Sequence, residues 1–314
     1  MTTSMTKGRP LKLILQFAAP LLIGNLLQQT YNIIDAAIVG RVLGTEALAG
    51  VGASSSVQFL VLGFCTGTQA VSGLLCLCFI VKHVEVLRLS RKNCRMQKDV
   101  TKELALMGFP MGLQFSITAI GSMVMQSANN GLGSVYVSGF TAGMRIKQFT
   151  MCPFDAIGTA ISVYCGQNLG AGKPDRIRKG IYEGLVIAVV YGLAAGMILI
   201  FFGRTLSMLF VSKEAADVLD ASGKYLRYLG FFYWALGILN VCRLSTQGLG
   251  YSGRSVFSGV TEMFARSIVG IVFVQYFGFT AICAADPAAW VSACFYIIPT
   301  CLFCVKRASE RLKG

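Results

Sequence analysis

Long apolar runs separated by short polar joints dominate this chain. The runs cover residues 12–38, 52–81, 104–128, 138–165, 182–203, 226–248, 256–279 and 287–305. A helix needs about 20 mostly apolar residues to cross the hydrocarbon core of a bilayer. The pattern therefore predicts an all-α integral membrane protein with about eight transmembrane helices. Gly40, Gly44, Gly50 and Gly52 fall between the first two runs and predict a tight connection there. The run at 52–81 is about 30 residues long, so it must tilt or protrude. Segment 204–225 mixes Leu206, Leu209, Phe210, Val218 and Leu219 with Lys213, Glu214, Asp217 and Asp220, and predicts an interfacial amphipathic helix.

Part of the pattern repeats. Pro20 and Pro110 each open an apolar helix, at an offset of 90 residues. Leu43, Gly44, Thr45 and Gly50 then match Leu132, Gly133, Ser134 and Gly139 at an offset of 89. Repeated helix blocks are a common building plan of secondary transporters. The second copy continues through further helices, whereas the first stops matching near Thr68 and gives way to a basic loop at Lys82. The overlong run and the lost match predict a fusion near Thr68 and Gln69, joining the start of one span to the end of a later one.

Composition supports the membrane class. Only 13% of residues are charged, against about 25% in soluble domains, and mean hydropathy is +0.64. A net charge of +14 raises nucleic acid as a partner, but the placement of the charges points to the bilayer instead. Most basic residues fall in alternate joints: Lys7 to Lys12, Lys82 to Lys102, Lys173 to Lys179, Arg254, and Lys306 to Lys313. Arg41, Arg204, Lys213 and Lys224 fall on the other side. The positive-inside rule puts the first set and both termini in the cytoplasm. The stretch from Arg88 to Lys102 lacks interleaved aromatics, so no nucleic-acid role is expected. The first run is too long for a signal peptide and carries Gln28, Gln29, Asn32 and Asp35. Cys301 and Cys304 have CxxC spacing but no His or acidic companions, and read as small packing residues. No cofactor or metal is implied.

Ionisable groups inside spans are costly, about 2.5–3.5 kcal/mol each on insertion scales, and are functional candidates by default. Asp35 leads, because Tyr31, Asn32 and Gln28 share its helix face and Pro20 begins the helix. A carboxylate in that setting binds a monovalent cation or takes up a proton; the alternative is solvation near the outer mouth. Asp155 follows Pro153, with Arg145 and Lys147 earlier in the same run. These residues either contact substrate or simply line a wet cavity. Glu262 and Arg266 read as a local i,i+4 pair, and Arg243 as a snorkelling side chain. Gln114, Ser116, Thr118, Gln126 and Asn129 form a polar stripe that either lines a cavity or binds helices together. His83, the one histidine, lies past a span among basic residues. No hydrolytic constellation or phosphate loop is visible, so neither an enzyme nor an ATP-driven pump is expected.

Taken together, several motifs resemble the MATE (multidrug and toxic compound extrusion) antiporters, especially their bacterial MepA-like and DinF-like branches. They are Pro20 with Tyr31-Asn-Ile-Ile-Asp35 and Val39-Gly-Arg41; Gly108-Phe-Pro110-Met-Gly-Leu-Gln114; Gly166-Gln-Asn-Leu-Gly-Ala-Gly-Lys173 followed by Arg176 and Arg178; Glu262 with Arg266; and Pro287-Ala-Ala-Trp290. The glycine-rich stretch at 166–173 lacks the ending of a phosphate cradle. The resemblance implies two six-helix lobes around a cavity that opens alternately to each side, with a proton or Na⁺ moving inward as an organic cation leaves. It implies that Asp35 is the cation- or proton-responsive carboxylate of the N-lobe, with Tyr31 and Asn32 beside it and Pro20 as the bending point. Gln28, Gln114, Thr118, Gln126, Arg145 and Asp155 would line the substrate cavity. Two departures stand out. The N-lobe, residues 1–103, keeps only its first helix, a hybrid of the second and sixth, and a basic loop, beside a complete six-helix C-lobe at 104–314. Thr118 occupies the position where some relatives carry a C-lobe glutamate. Three readings stay open: a cation-coupled exporter in the bacterial cytoplasmic membrane, a deleted remnant or half-transporter that needs a homodimeric or other partner chain, and a flippase for lipid-linked substrates.

Overall fold

The computed structural model describes residues 4–50 and 98–312, apart from the side chains of Asp35, Phe115 and a few near the start of the second long helix. The run at 52–81, the junction at Thr68 and Gln69, His83 and nearly all of the basic loop lie outside the described residues. Among the described residues there is no strand. Helix α1 is Pro10–Ile38, α2 Lys98–Asn130, α3 Ser134–Gly170, α4 Pro174–Ser207, α5 Ala216–Gly248, α6 Ser252–Ile268, α7 Val274–Phe277 and α8 Phe279–Arg311. Single π-turns follow α1 at Val39–Leu43 and α6 at Val269–Phe273.

Helices α2, α3, α4 and α8 outrun their apolar stretches at both ends, because polar turns remain helical beyond the hydrocarbon. Two expectations change as a result. Segment 204–225 is not an interfacial helix. It is the end of α4, a turn, and the start of α5, and Phe210, Val218 and Leu219 are buried in the bundle. The last two spans also divide elsewhere. Gly278, at a φ of 52°, ends α7, and residues 279–286 belong to α8. A left-handed turn stops the helix where hydropathy alone runs on. Among the described residues, four segments are long and apolar enough to span a bilayer by composition: Pro10–Leu43, Pro174–Ser207, Ser252–Phe277 and Phe279–Arg311. Helices α2, α3 and α5 are as long but more polar, and they carry much of the chemistry described below.

Counting α6, its π-turn and α7 as one, the six helices from residue 98 on pack as a bundle. Helix α5 is central, with α3, α4 and α8 against it, while α2 packs on α6 and α6 on α8. Helices α4 and α5 approach backbone to backbone. A Cβ on Gly196 would lie 2.4 Å from the Gly230 carbonyl oxygen, and one on Gly230 would lie 2.6 Å from that of Gly196. Small residues at contact spacing drive close packing in lipid, where apolar burial supplies little.

Helix α1 lies along α3, antiparallel to it. At one end Arg41 Nη2 donates to the Met208 carbonyl at 2.7 Å, and Ser138 Oγ donates to the Thr45 carbonyl at 2.6 Å. At the other end, residues 4–8 meet the turn between α3 and α4. Pro20 sits inside α1, where it removes one backbone hydrogen bond.

Candidate functional site

Four helices bring six charged side chains into one row. Asp286 on α8 is 1% exposed, and its Oδ2 lies 2.6 Å from Lys147 Nζ on α3. The same oxygen accepts from the Tyr225 hydroxyl of α5 at 2.8 Å, while Oδ1 accepts from Arg266 Nε of α6 at 3.0 Å. Arg266 Nη1 lies 3.3 Å from Glu262 Oε2, an ion-pair contact without hydrogen-bond alignment. Arg243 of α5 donates through Nη2 to the other Glu262 oxygen and through Nε to Ser258 Oγ at 3.0 Å. Beyond Arg243, and under its electrostatic influence, stands Asp155 of α3, whose Oδ1 accepts from Asn240 Nδ2 at 2.9 Å.

The signs alternate along this ladder: Lys147, Asp286, Arg266, Glu262, Arg243, Asp155. Buried charges survive at membrane depth only when each meets an opposite charge and its remaining donors are used. Lys147, Arg266, Glu262 and Asp286 are all buried, and Arg243 nearly so, whereas Asp155 is exposed. The ladder therefore has a buried inner part, in which Arg266 Nη1 makes an ion-pair contact but no hydrogen bond, and one carboxylate at an open end. An aromatic group packs beside it: Tyr191, Phe154, Tyr233 and Trp290 lie in successive ring contacts, and the Tyr233 hydroxyl is 2.6 Å from Thr150 Oγ1.

Several expectations are corrected by this geometry. Lys147 does not line a wet cavity; it is buried against Asp286. Arg243 does not snorkel; it closes on Glu262. Glu262 and Arg266 do pair at i,i+4, but as one rung of a longer ladder. Gln114 and Gln126 do not form a cavity wall. Gln114 is 6% exposed, and its Oε1 accepts from Gln247 Nε2 at 3.0 Å and from Ser255 Oγ at 3.2 Å, tying α2 to α5 and α6. Gln126 donates to Asn130 Oδ1 at 2.9 Å along its own helix. Gln114 thus binds helices together, while Gln126 and Ser116 bond within α2 and the buried Asn129 amide makes no hydrogen bond among the described residues. Thr118 is half-buried beside Gly259 of α6, and Arg145 is half-buried two positions before Lys147 on α3.

On α1, Pro20, Gln28 and Tyr31 are exposed, Tyr31 at 73%. Asn32 donates to Gln29 Oε1 at 2.9 Å. The side chain of Asp35 lies outside the described residues. Among the described side chains, no hydrogen bond joins Gln28, Tyr31 or Asn32 to the α3 group. The residue that sequence reasoning missed is Asp286. It sits one position before the Pro287 motif and just outside the run taken to begin at 287. An acidic residue within α8 was the signal, hidden by a boundary set on hydropathy.

A bundle of long helices whose inner polar groups are paired with one another defines an α-helical membrane protein. The MatE family model matches residues 20–75 and 110–286, more than half of the chain, and the chain belongs to that family. It is 31% identical over 172 residues to the probable multidrug resistance protein YpnP of Bacillus subtilis, covering 54% of this chain and 38% of that protein. It is 22% identical over 177 residues to the probable multidrug resistance protein NorM of Thermotoga maritima, covering 56% and 38%. The chain therefore spans well under half the length of these curated relatives. The fold matches a solved MATE transporter of the MOP superfamily described as outward-facing, with a TM-score of 0.79, 14% identity, and 97% and 98% of the two chains covered.

Proposed function

We propose that this chain acts in cation-coupled export of organic cations across the bacterial cytoplasmic membrane, with both termini in the cytoplasm, and that it catalyses no chemical reaction. Residues 1–103 serve as a shortened N-lobe and 104–314 as the C-lobe. A proton or Na⁺ is the coupling ion, and the chain needs no cofactor. The observation that supports this reading is Asp155: a carboxylate within a span, exposed, hydrogen-bonded to a neutral amide, at the open end of a row whose other five charges sum to +1. Its ionised form balances the row, and it gains or loses a proton without breaking an ion-pair contact of its own. Asp35, with Tyr31 and Asn32 on its helix and the Pro20 break below it, is the second exchanging carboxylate. Loading of either changes the relative stability of the two faces of the cleft, and hence affinity for a cationic substrate.

The test is uptake of a cationic dye into inverted, acid-inside vesicles containing the purified chain. We expect accumulation that falls at least ten-fold in Asp35→Asn and several-fold in Asp155→Asn, while Asp220→Asn, in a surface pair with Arg204, leaves it unchanged. A second reading is favoured by the short coverage of the relatives: the chain works only with a partner that supplies the remaining helices. No uptake by the chain alone, with uptake restored in a crosslinked homodimer or with a co-expressed partner, would select it.

A further inference from the structure

The glycine-rich stretch at 166–173 is the strongest motif in the sequence and has no part in the ladder. The structure shows what it holds. The α3–α4 turn closes through Ala171 N–H to the Gln167 carbonyl at 3.0 Å and Lys173 N–H to the Asn168 carbonyl at 2.9 Å, with Gly172 at a φ of 68°. This turn presents a set of side chains to the backbone of residues 5–8. Gln167 Oε1 accepts from the Met5 N–H at 2.7 Å. The Met5 carbonyl accepts from Asn168 Nδ2 and from Arg176 Nη2, each at 3.2 Å. Lys173 Nζ donates to the Thr6 carbonyl at 3.0 Å, and Arg176 Nη1 to the Gly8 carbonyl at 2.9 Å.

The receiving side is built in advance. Arg176 Nε donates to Asn168 Oδ1 at 3.0 Å, its guanidinium lies 5.8 Å from the Tyr164 ring, and Asn168 is fully buried. The Met5 side chain is also fully buried. Two residues after Gly8, Pro10 opens α1. Four turn residues thus clamp the main chain that leads into α1, by contacts that read backbone rather than arm sequence, with Met5 as the single apolar plug. Charge-assisted donors to carbonyls are among the stronger hydrogen bonds, but each here is local and can be exchanged for water.

We propose that residues 4–8 and the turn 167–176 form a breakable latch that holds the α1 end of the molecule closed on the α3–α4 end, and that its release is the step that opens the cleft on that side. In the orientation proposed above this is the cytoplasmic side. The gating role rests on the transport reading; the latch itself does not. Because α1 is tied at its far end through Arg41 and Ser138, freeing the near end turns α1 away from α3 about the far contacts, with the Pro20 break within it.

The experiment measures distance and transport separately. In a cysteine-free background, spin labels at Leu11→Cys on α1 and Tyr182→Cys on α4, both exposed, report the separation of the two ends in lipid nanodiscs. We expect one short distance in the parent and a longer population at least three-fold larger in Arg176→Gln and in Met5→Ser. Hydrogen exchange at the Met5 amide should accelerate at least ten-fold in both. Lys173→Gln removes one outer donor without touching buried groups, and should give a smaller shift in the same direction. Faster exchange at Met5 with unchanged distances in all three variants would overturn the latch. Bridging Thr6→Cys to Lys173→Cys with a short bismaleimide should abolish dye uptake; undiminished uptake by the bridged protein would overturn its gating role. If the parent shows no uptake but the distances respond as expected, the transport reading fails and the latch stands.

Discussion

At the residue scale, Asp286 holds the most concentrated chemistry in the molecule. Its two oxygens take Lys147, Tyr225 and Arg266 from three helices, and the carboxylate is almost wholly buried. Removing one member of a buried ion pair leaves the other unpaired and costs about 3–5 kcal/mol. We therefore expect Asp286→Asn to lower the thermal midpoint of the detergent-purified protein by well over 5 °C, with Lys147→Met close behind. The double variant should cost less than the sum of the two, a coupling of about 0.5–3 kcal/mol in a mutant cycle. Arg204 and Asp220 form a pair of similar length, 2.6 Å, but both are exposed. Its loss should change the midpoint by no more than about 1 kcal/mol equivalent.

At the scale of elements, α4 and α5 meet where neither carries a side chain. A Cβ on Gly196 falls inside contact distance of the Gly230 backbone, and backbone does not move aside as a side-chain tip does. Gly196→Ala and Gly230→Ala should each destabilise by about 1–3 kcal/mol through overpacking. Gly24, with open space around it on α1, should accept alanine without loss and serve as the control in the same melting series. The same contrast explains the polar stripe of α2. Gln114 is fixed by Gln247 and Ser255 from two other helices, so Gln114→Leu should loosen α2 from α5 and α6, read as faster hydrogen exchange in α2.

For the whole molecule, the antiparallel run of α1 along α3 places the 208–215 turn at the opposite end from residues 4–8 and 166–176. Cysteines at Ser212 and Arg311 in a cysteine-free background should therefore label from opposite sides of the membrane with an impermeant maleimide. Labelling of Arg311→Cys from the cytoplasmic side and of Ser212→Cys from the outside is the expected result. Labelling of both from one side would remove the proposed topology.

The sequence by itself determined the class of this protein and the count of helices after residue 98. Apolar length, low charge and alternating basic joints are one-dimensional properties, set by the thickness of the bilayer and by the cost of carrying charge across it. It also marked the residues worth watching: Glu262 with Arg266, Asp155, and the glycine-rich stretch at 166–173. Tertiary structure decided what each of these touches. Whether Lys147 is wet or buried, whether Gln114 faces a cavity or another helix, and whether the glycine-rich turn grips a ligand or its own chain all depend on which faces meet across the bundle. That pairing is set by contacts between residues more than a hundred positions apart, such as Lys147 with Asp286 and Met5 with Arg176, which no local pattern encodes.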